Sequence, residues 1–336
     1  MKRFPTLLCG LLLAGAAAGQ STKIVVTGPF VEMAKPLAAT FPNIRFAAAA
    51  TPQEALGQVA DADAIFGAMN PAILKAQKKL RWVQIHSAGA ETYLFPEFVA
   101  SDITLTNCKI VQGPNIADHA MALLLAITRN LNVTIPKQKT EEWLRGDLAG
   151  RAVELTGKTA VIIGLGGIGT QIAQRAHAFG MRVLAVDPKD IPITNVVEKV
   201  VTPDRLQELL PQADVVFMSA PHTKETEGMM GAAEFGMMKR NSYFVAVSRG
   251  KTYNSEALVK ALDEKRLAGA GLDVTNPEPL PKGHPLWKFD NVVITPHIAG
   301  QSDVVGGRRL ALVSENIRRF LTGKTMLNVV DKRRGY

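Results

Sequence analysis

The chain has 336 residues, of which 47% are hydrophobic and 21% charged, with two cysteines and no repeat or low-complexity tract. This length allows two domains with separate cores, and the composition is that of an ordinary globular protein. The formal charge is +9, but the basic residues are dispersed. Their densest clusters are Arg308–Arg309, Arg318–Arg319 and Lys332–Arg334, none with interleaved aromatic residues. We therefore predict a solvated basic surface and no nucleic-acid partner.

The first 22 residues differ from the rest of the chain. Two basic residues precede an apolar stretch through Leu13, and small residues follow as far as Ala18. This pattern predicts a signal peptide over residues 1–22, too short for a comfortable membrane span. The mature protein would be periplasmic or secreted, free of the membrane, and would keep Cys108 alone, so no internal disulfide could form. A cytoplasmic enzyme with an unprocessed leader is the alternative.

Strand-like and helix-like segments alternate from Lys23 onwards. The first predicted strands are Lys23–Thr27, Ala64–Gly67 and Trp82–Ile85, with a helix over Pro71–Lys79. Asn115–Arg129 carries apolar residues at helical spacing and predicts a mostly buried helix leading out of a first α/β domain.

A complete βαβ unit follows. Thr159–Ile163 predicts a buried strand, Thr170–Phe179 a helix, and Met181–Asp187 a second strand that ends on a carboxylate. Between strand and helix lies a G-x-G-x-x-G motif, in which Gly164 allows a tight turn, Gly166 lets a pyrophosphate approach, and Gly169 lets helix and strand pack closely. The helix start offers free N–H groups to phosphates. Asp187, 18 residues beyond the motif, is placed to accept hydrogen bonds from a ribose and favours NAD.

More strands and one long helix complete the pattern. They are predicted at Asp214–Met218, Ser242–Val247, Ala270–Asp273 and Val292–Ile294, with the helix over Asp303–Leu321. Strands that alternate with helices throughout predict an α/β fold of two doubly wound parallel sheets.

Three polar residues follow strands or turns of the second half. Arg249 could clamp a carboxylate with two hydrogen bonds and polarise a neighbouring carbonyl. Glu278 is held between two prolines, and His297 could give and take a proton near neutral pH beside a carboxylate partner. Considered singly, each is as well explained by a surface or structural role.

Together, the motifs resemble those of the D-isomer-specific 2-hydroxyacid dehydrogenases. The matching stretches are Asn115–Arg129, Gly164–Gly169, Ser248–Gly250, Gly271–Val274, Glu278–Pro281, His284–Trp287, Thr295–Gly300 and the ending from Glu315. The resemblance implies a Rossmann nucleotide domain at 115–300, inserted in a flavodoxin-like substrate domain of 23–114 and 301–336. It also implies a homodimer formed through the nucleotide domain, using the 115–129 helix.

The resemblance further implies hydride transfer between NAD(H) and C2 of a D-2-hydroxy acid or 2-oxo acid. His297 and Glu278 would form the acid–base pair, and Arg249 would bind the substrate carboxylate and carbonyl. The carboxylate would also meet backbone N–H groups at Ser87, Ala88 and Gly89. The implied cofactor-binding residues are Gly164, Gly166, Gly167, Ile168, Gly169, Asp187, Pro221 and Asp273, the last beside the nicotinamide carboxamide. No metal site is predicted.

Several alternatives stay open at this point. An exported NAD(H)-dependent binding or sensor protein with little turnover is the second hypothesis, because soluble NAD is scarce outside the cytoplasm. Lys189 could offer a charge to a 2′-phosphate, which would favour NADP. His86, just before the carboxylate loop, either reaches the substrate or has a structural role.

Overall fold

The computed structural model describes residues 21–336, so the predicted signal peptide lies almost wholly outside the described residues. Two sheets organise this part of the chain, and every strand pair in both is parallel. None of the described helices is long and apolar enough to cross a membrane. Short 3₁₀ helices lie at Gly28–Phe30, Glu91–Tyr93, Gln138–Thr140, Pro203–Glu208, Leu210–Gln212, Gly250–Thr252 and Pro285–Lys288.

The first sheet has five strands in the order β2-β1-β3-β4-β5, which is the flavodoxin-like order. The strands are β1 (Lys23–Thr27), β2 (Arg45–Ala49), β3 (Ala64–Phe66), β4 (Trp82–Gln84) and β5 (Thr104–Thr106). The helices between them are α1 (Ala34–Thr40), α2 (Pro52–Gln58), α3 (Pro71–Ala76) and α4 (Pro96–Val99). β1, β3 and β4 are buried along their whole length, because helices cover both faces of the sheet.

The second sheet has seven strands in the order β12-β11-β10-β9-β6-β7-β8, a Rossmann order with one added strand. The strands are β6 (Thr159–Ile163), β7 (Arg182–Val186), β8 (Lys199–Val201), β9 (Val215–Met218), β10 (Ser242–Ala246), β11 (Leu267–Leu272) and β12 (Val292–Ile294). The helices of this half are α5 (Gly113–Thr128), α6 (Leu131–Lys137), α7 (Gly167–Ala178), α8 (Ala232–Met237) and α9 (Ser255–Asp263). The predicted fold class is therefore confirmed.

The chain crosses between the sheets twice. α5 leads from the first sheet to the second, and its buried residues share a core with β6, β7 and β9. After β12 the chain returns through residues 299–304 to a last helix, α10 (Val305–Leu321). Val313 and Ile317 of α10 pack in one core with Trp82 of β4. The tail then pairs with β5, since the N–H of Val330 donates to the Leu105 carbonyl at 2.9 Å.

Candidate active site

The polar residues singled out in the sequence follow the carboxyl ends of strands. Arg249 comes three residues after β10, Asp273 directly after β11, and His297 three residues after β12. Because parallel strands end at the same edge of a sheet, these residues gather along one edge. The loop that begins at Ser87 follows β4 of the other sheet and meets them there.

His297 and Glu278 are in direct contact. Nδ1 of His297 lies 2.6 Å from Oε1 of Glu278, and about two fifths of each side chain is exposed. The second carboxylate oxygen of Glu278 accepts from the N–H of Thr275 at 3.4 Å. The glutamate therefore engages one ring nitrogen and leaves Nε2 of His297 as the nitrogen available to a ligand.

Asp273 holds the loop that carries the histidine. Its carboxylate is 1% exposed and accepts hydrogen bonds from the Thr295 hydroxyl at 2.6 Å and from the N–H groups of Ile298 and Ala299 at 3.0 and 2.9 Å. Its own carbonyl accepts from the N–H of His297 at 2.9 Å. His297 has a φ of 53°, a left-handed conformation that surrounding hydrogen bonds must maintain.

Arg249 lies against the loop after β4. Its Nε donates to Glu91 at 2.5 Å, and its Nη1 donates to the Ser248 carbonyl at 2.7 Å. A Cβ atom on Gly89 would lie 2.1 Å from Nη2 of Arg249, so only glycine permits this approach. The next residue, Gly250, packs equally tightly against the carbonyl of Thr275, which brings the arginine close to the loop of Glu278.

The loop after β4 also offers free hydrogen-bond donors. Within the described residues, none of the N–H groups of Ser87, Ala88, Gly89 and Ala90 donates to a protein acceptor. The hydroxyl of Ser87 instead donates to the Gly89 carbonyl at 2.6 Å, which keeps the loop tightly turned. Successive unpaired N–H groups beside a guanidinium form an anion-binding concavity.

The glycine motif has the geometry that a dinucleotide requires. Gly164 has a φ of 90°, and a Cβ atom on Gly169 would lie 1.9 Å from the Gly164 carbonyl oxygen, so both positions demand glycine. Apart from its own chain neighbours, no atom of the described residues lies within 4 Å of where a Cβ atom of Gly166 would stand. α7 begins at Gly167, earlier than predicted, so Gly167 and Ile168 supply first-turn N–H groups for a phosphate.

Asp187 lies at the end of β7, beside that motif. One carboxylate oxygen accepts from the N–H of Leu165 at 2.8 Å and the other from the N–H of Lys189 at 2.9 Å. Each oxygen keeps a lone pair that a ribose hydroxyl could use, and ribose binding by Asp187 stays a prediction. Pro221 follows β9 on the same edge and is exposed.

Two residues at the site were missed by sequence reasoning. Glu91, the partner of Arg249, is an acid just beyond a small-residue loop, a pattern with no signal of its own. His119 of α5 lies 2.8 Å from the Thr295 hydroxyl and 3.4 Å from Asp273, a contact between segments 176 and 154 positions apart in sequence. The contact of Asp273 with a nicotinamide stays a prediction, since its described partners belong to the His297 loop.

Comparison with known proteins gives the family. The sequence profile of the D-isomer-specific 2-hydroxyacid dehydrogenase NAD-binding domain matches residues 121–299. A glyoxylate reductase of Korarchaeum cryptofilum is 34% identical over 284 residues, which cover 82% of this chain and 84% of the relative. The chain belongs to the D-isomer-specific 2-hydroxyacid dehydrogenase family. It is therefore an oxidoreductase with an NAD-binding domain.

Two further relatives widen the comparison. A D-3-phosphoglycerate dehydrogenase of Methanocaldococcus jannaschii is 31% identical over 316 residues, covering 92% of this chain but 59% of the longer relative. The structure of an NADPH-dependent glyoxylate/hydroxypyruvate reductase of Sinorhizobium meliloti, bound to NADP and sulfate, has a TM-score of 0.80. That protein is 26% identical, and the alignment covers 94% of this chain and all of the solved one.

Among residues 21–336, no group of three or more His, Cys, Asp or Glu side chains is arranged to hold a metal ion.

The buried carboxylate of Asp273 gives a first prediction. Asp273→Asn should lower the free energy of unfolding by about 1–3 kcal/mol, because the amide NH₂ cannot accept from the N–H groups of both Ile298 and Ala299. Urea unfolding without cofactor measures the change. Asp303→Asn, at an exposed acid in the nearby return segment, is the control and should change it by less than about 0.5 kcal/mol. A loss for Asp273→Asn no larger than that of the control would show that the carboxylate does not hold the loop.

Proposed function

We propose that the protein is an NAD-dependent reductase that interconverts small 2-oxo acids and D-2-hydroxy acids. The observation that carries this proposal is the 2.6 Å contact between His297 and Glu278, next to a guanidinium and a loop of free N–H groups. A protein that only bound or sensed a nucleotide would have no use for a proton donor with its own carboxylate partner.

Substrate binding rests on Arg249 and the loop of Ser87, Ala88 and Gly89. The carboxylate would lie between the guanidinium and the N–H groups, with Nη2 toward the carbonyl oxygen. Glu91 and the Ser248 carbonyl hold Nε and Nη1, so the guanidinium is already oriented before a substrate enters. Glyoxylate belongs in the tested set because several relatives are named glyoxylate reductases.

Proton transfer rests on His297. When bound, the nicotinamide cofactor supplies the hydride that reaches C2 of the 2-oxo acid. Nε2 of His297 gives a proton to the developing alkoxide, and Glu278 at Nδ1 stabilises the charged ring before the transfer and keeps the proton on Nδ1 after it. Arg249 stabilises negative charge on the same oxygen as it develops.

We propose NAD as the cofactor, with NADP the lesser choice. The carboxylate of Asp187 stands where the adenosine ribose is expected and would repel a 2′-phosphate. Lys189 opposes this effect, but its Nζ lies 5.6 Å from the ring centre of Tyr336, which gives it a partner of its own.

The activity prediction follows from these roles. With NADH and a panel of 2-oxo acids, absorbance at 340 nm should fall, and His297→Ala should lower kcat by roughly 10²-fold or more. Glu278→Gln keeps a hydrogen-bonding side chain without the charge and should give a smaller loss in the same direction. NADPH in place of NADH should support slower turnover. Tight NADH binding without turnover of any 2-oxo acid would overturn the proposed reductase activity and favour a binding or sensor protein.

We propose that two copies of the chain form a homodimer. The apolar residues of α5 are largely buried inside the chain, whereas Leu131, Ile135 and Trp143, which follow it, are 42%, 57% and 90% exposed. Exposed apolar side chains grouped along one segment are typical of an interface. The contact surface would therefore lie mainly beyond α5.

Light scattering after size exclusion tests this assembly. The protein should have about twice the chain mass, and Ile135→Glu together with Trp143→Glu should give monomers, because each buries a charge at the contact. Ile193→Glu, at an exposed isoleucine elsewhere, is the control. A wild-type monomer at micromolar concentration would refute the proposal.

We propose that the protein is exported through its N-terminal leader. Support comes from the sequence pattern and from β1, which begins at Lys23 and so follows the expected cleavage site closely. Mass spectrometry of the protein from separated cell fractions should find a new N-terminus near residue 19 in the exported fraction. An intact Met1 in the cytoplasmic fraction alone would contradict export.

A further inference from the structure

Two basic residues lie on facing elements, the end of β4 and the start of α10, beside the candidate active site. Trp82 and Gln84 are two positions apart on β4 and so share the strand face toward α10. His86 lies two positions further on, just past the strand end, and is expected on the same side. On α10, Arg309 precedes Val313 and Ile317 by four and eight residues, so it lies on the helix face that packs against the same strand.

Each side chain has a buried nitrogen without a hydrogen-bonding partner, although the guanidinium of Arg309 also contacts the thiol of Cys108. Nε of Arg309 and Nδ1 of His86 are buried and unpaired, and within the described residues Arg309 forms no ion pair. A partly buried guanidinium without a counter-charge is unfavourable, because its lost hydration is not replaced. The neighbouring Arg308 differs, since its Nη1 donates to the Val111 carbonyl at 3.4 Å.

Among residues 21–336, no acidic side chain lies within ion-pair distance of Arg309 or His86. Burial, and the positive charge of Arg309, hold the pKa of His86 below its usual value. The thiol of Cys108 is the other group near Arg309, and burial raises its pKa to about 11, so it stays protonated and is a weak acceptor. α10 has no acid in its first turn.

We propose that Arg309 and His86 bind a second anionic group, a carboxylate or phosphate at the far end of the substrate. This inference rests on the proposed function and narrows its substrate class to 2-oxo acids with a distal acidic group. Arg309 would supply the charge and a forked pair of donors, and the neutral imidazole of His86 one N–H donor.

The position of the pair suits this role. His86 is three residues before Gly89, whose backbone touches Arg249, so the two Cα atoms are separated by at most roughly 11 Å. A substrate whose first carboxylate rests on the loop of Ser87 to Gly89 can therefore extend its other end toward His86 and Arg309. A substrate without a distal acid would leave the charge of Arg309 without a counter-charge.

A matched pair of substrates tests the proposal. 2-Oxoglutarate and 2-oxopentanoate have equal carbon chains and differ in the distal carboxylate. The wild type should show the higher kcat/KM for 2-oxoglutarate, and Arg309→Gln should lower that value by roughly 10- to 100-fold while changing the value for 2-oxopentanoate by less than about threefold. Arg308→Gln, on the same helix, is the control and should preserve the preference.

A binding measurement separates this proposal from the enzyme assignment. Inorganic phosphate should raise the Tm of Arg309→Gln by clearly less than that of the wild type and of Arg308→Gln, whether or not any 2-oxo acid is turned over, because the loop beside Arg249 and the start of α7 can still bind phosphate in all three proteins. Turnover without a preference for the distal acid, or a preference that survives Arg309→Gln, would overturn the proposal. So would a raised KM for NADH in Arg309→Gln with the substrate preference intact, because the arginine would then serve the cofactor.

Discussion

Parallel pairing of every strand in both sheets decides where a site can form. The carboxyl ends of β4, β10, β11 and β12 point toward one cleft, so the residues that follow them meet although they are far apart in sequence. The dinucleotide motif after β6 lies on the same edge of the larger sheet. Antiparallel pairing would send alternate loops to the opposite edge and separate Asp273, which follows β11, from Arg249 and His297, which follow β10 and β12. The arrangement of the candidate active site is thus a consequence of strand direction.

Strand direction brings the site residues near one another, and hydrogen bonds to neighbouring side chains then fix their orientation. The carboxylate of Asp273 is buried so that it can accept three hydrogen bonds from the loop of His297, and Glu278 sets the ring orientation. Glu91 does the same for Arg249 from the other sheet. Each group that would touch a substrate is held by a second residue that would not, which is how a site keeps its geometry without a ligand.

Much of this arrangement could be predicted from the sequence. β1, β6 and β12 have the predicted bounds, because continuous apolar runs mark buried parallel strands. β2, β5 and β8 were missed, since Arg45–Ala49 is mostly alanine and Thr104–Thr106 has one apolar residue in three. The spacing of apolar residues indicates local helices and strands, but it does not indicate which side chains meet across long sequence distances. The sequence therefore did not predict the contacts of Glu91 with Arg249 and of His119 with Thr295. The nearness of Arg309 to His86 likewise arises only in the folded chain.

The buried thiol of Cys108 allows local opening of the smaller, five-stranded sheet to be measured by chemical labelling. With a pKa near 11, very little of this thiol is ionised at neutral pH, and the folded chain shields it from solvent. A thiol-specific label in the mature protein would therefore react only when the edge of β5 opens. The labelling rate would give the frequency of that opening, and a bound ligand that ties Arg309 and its neighbours together should slow it.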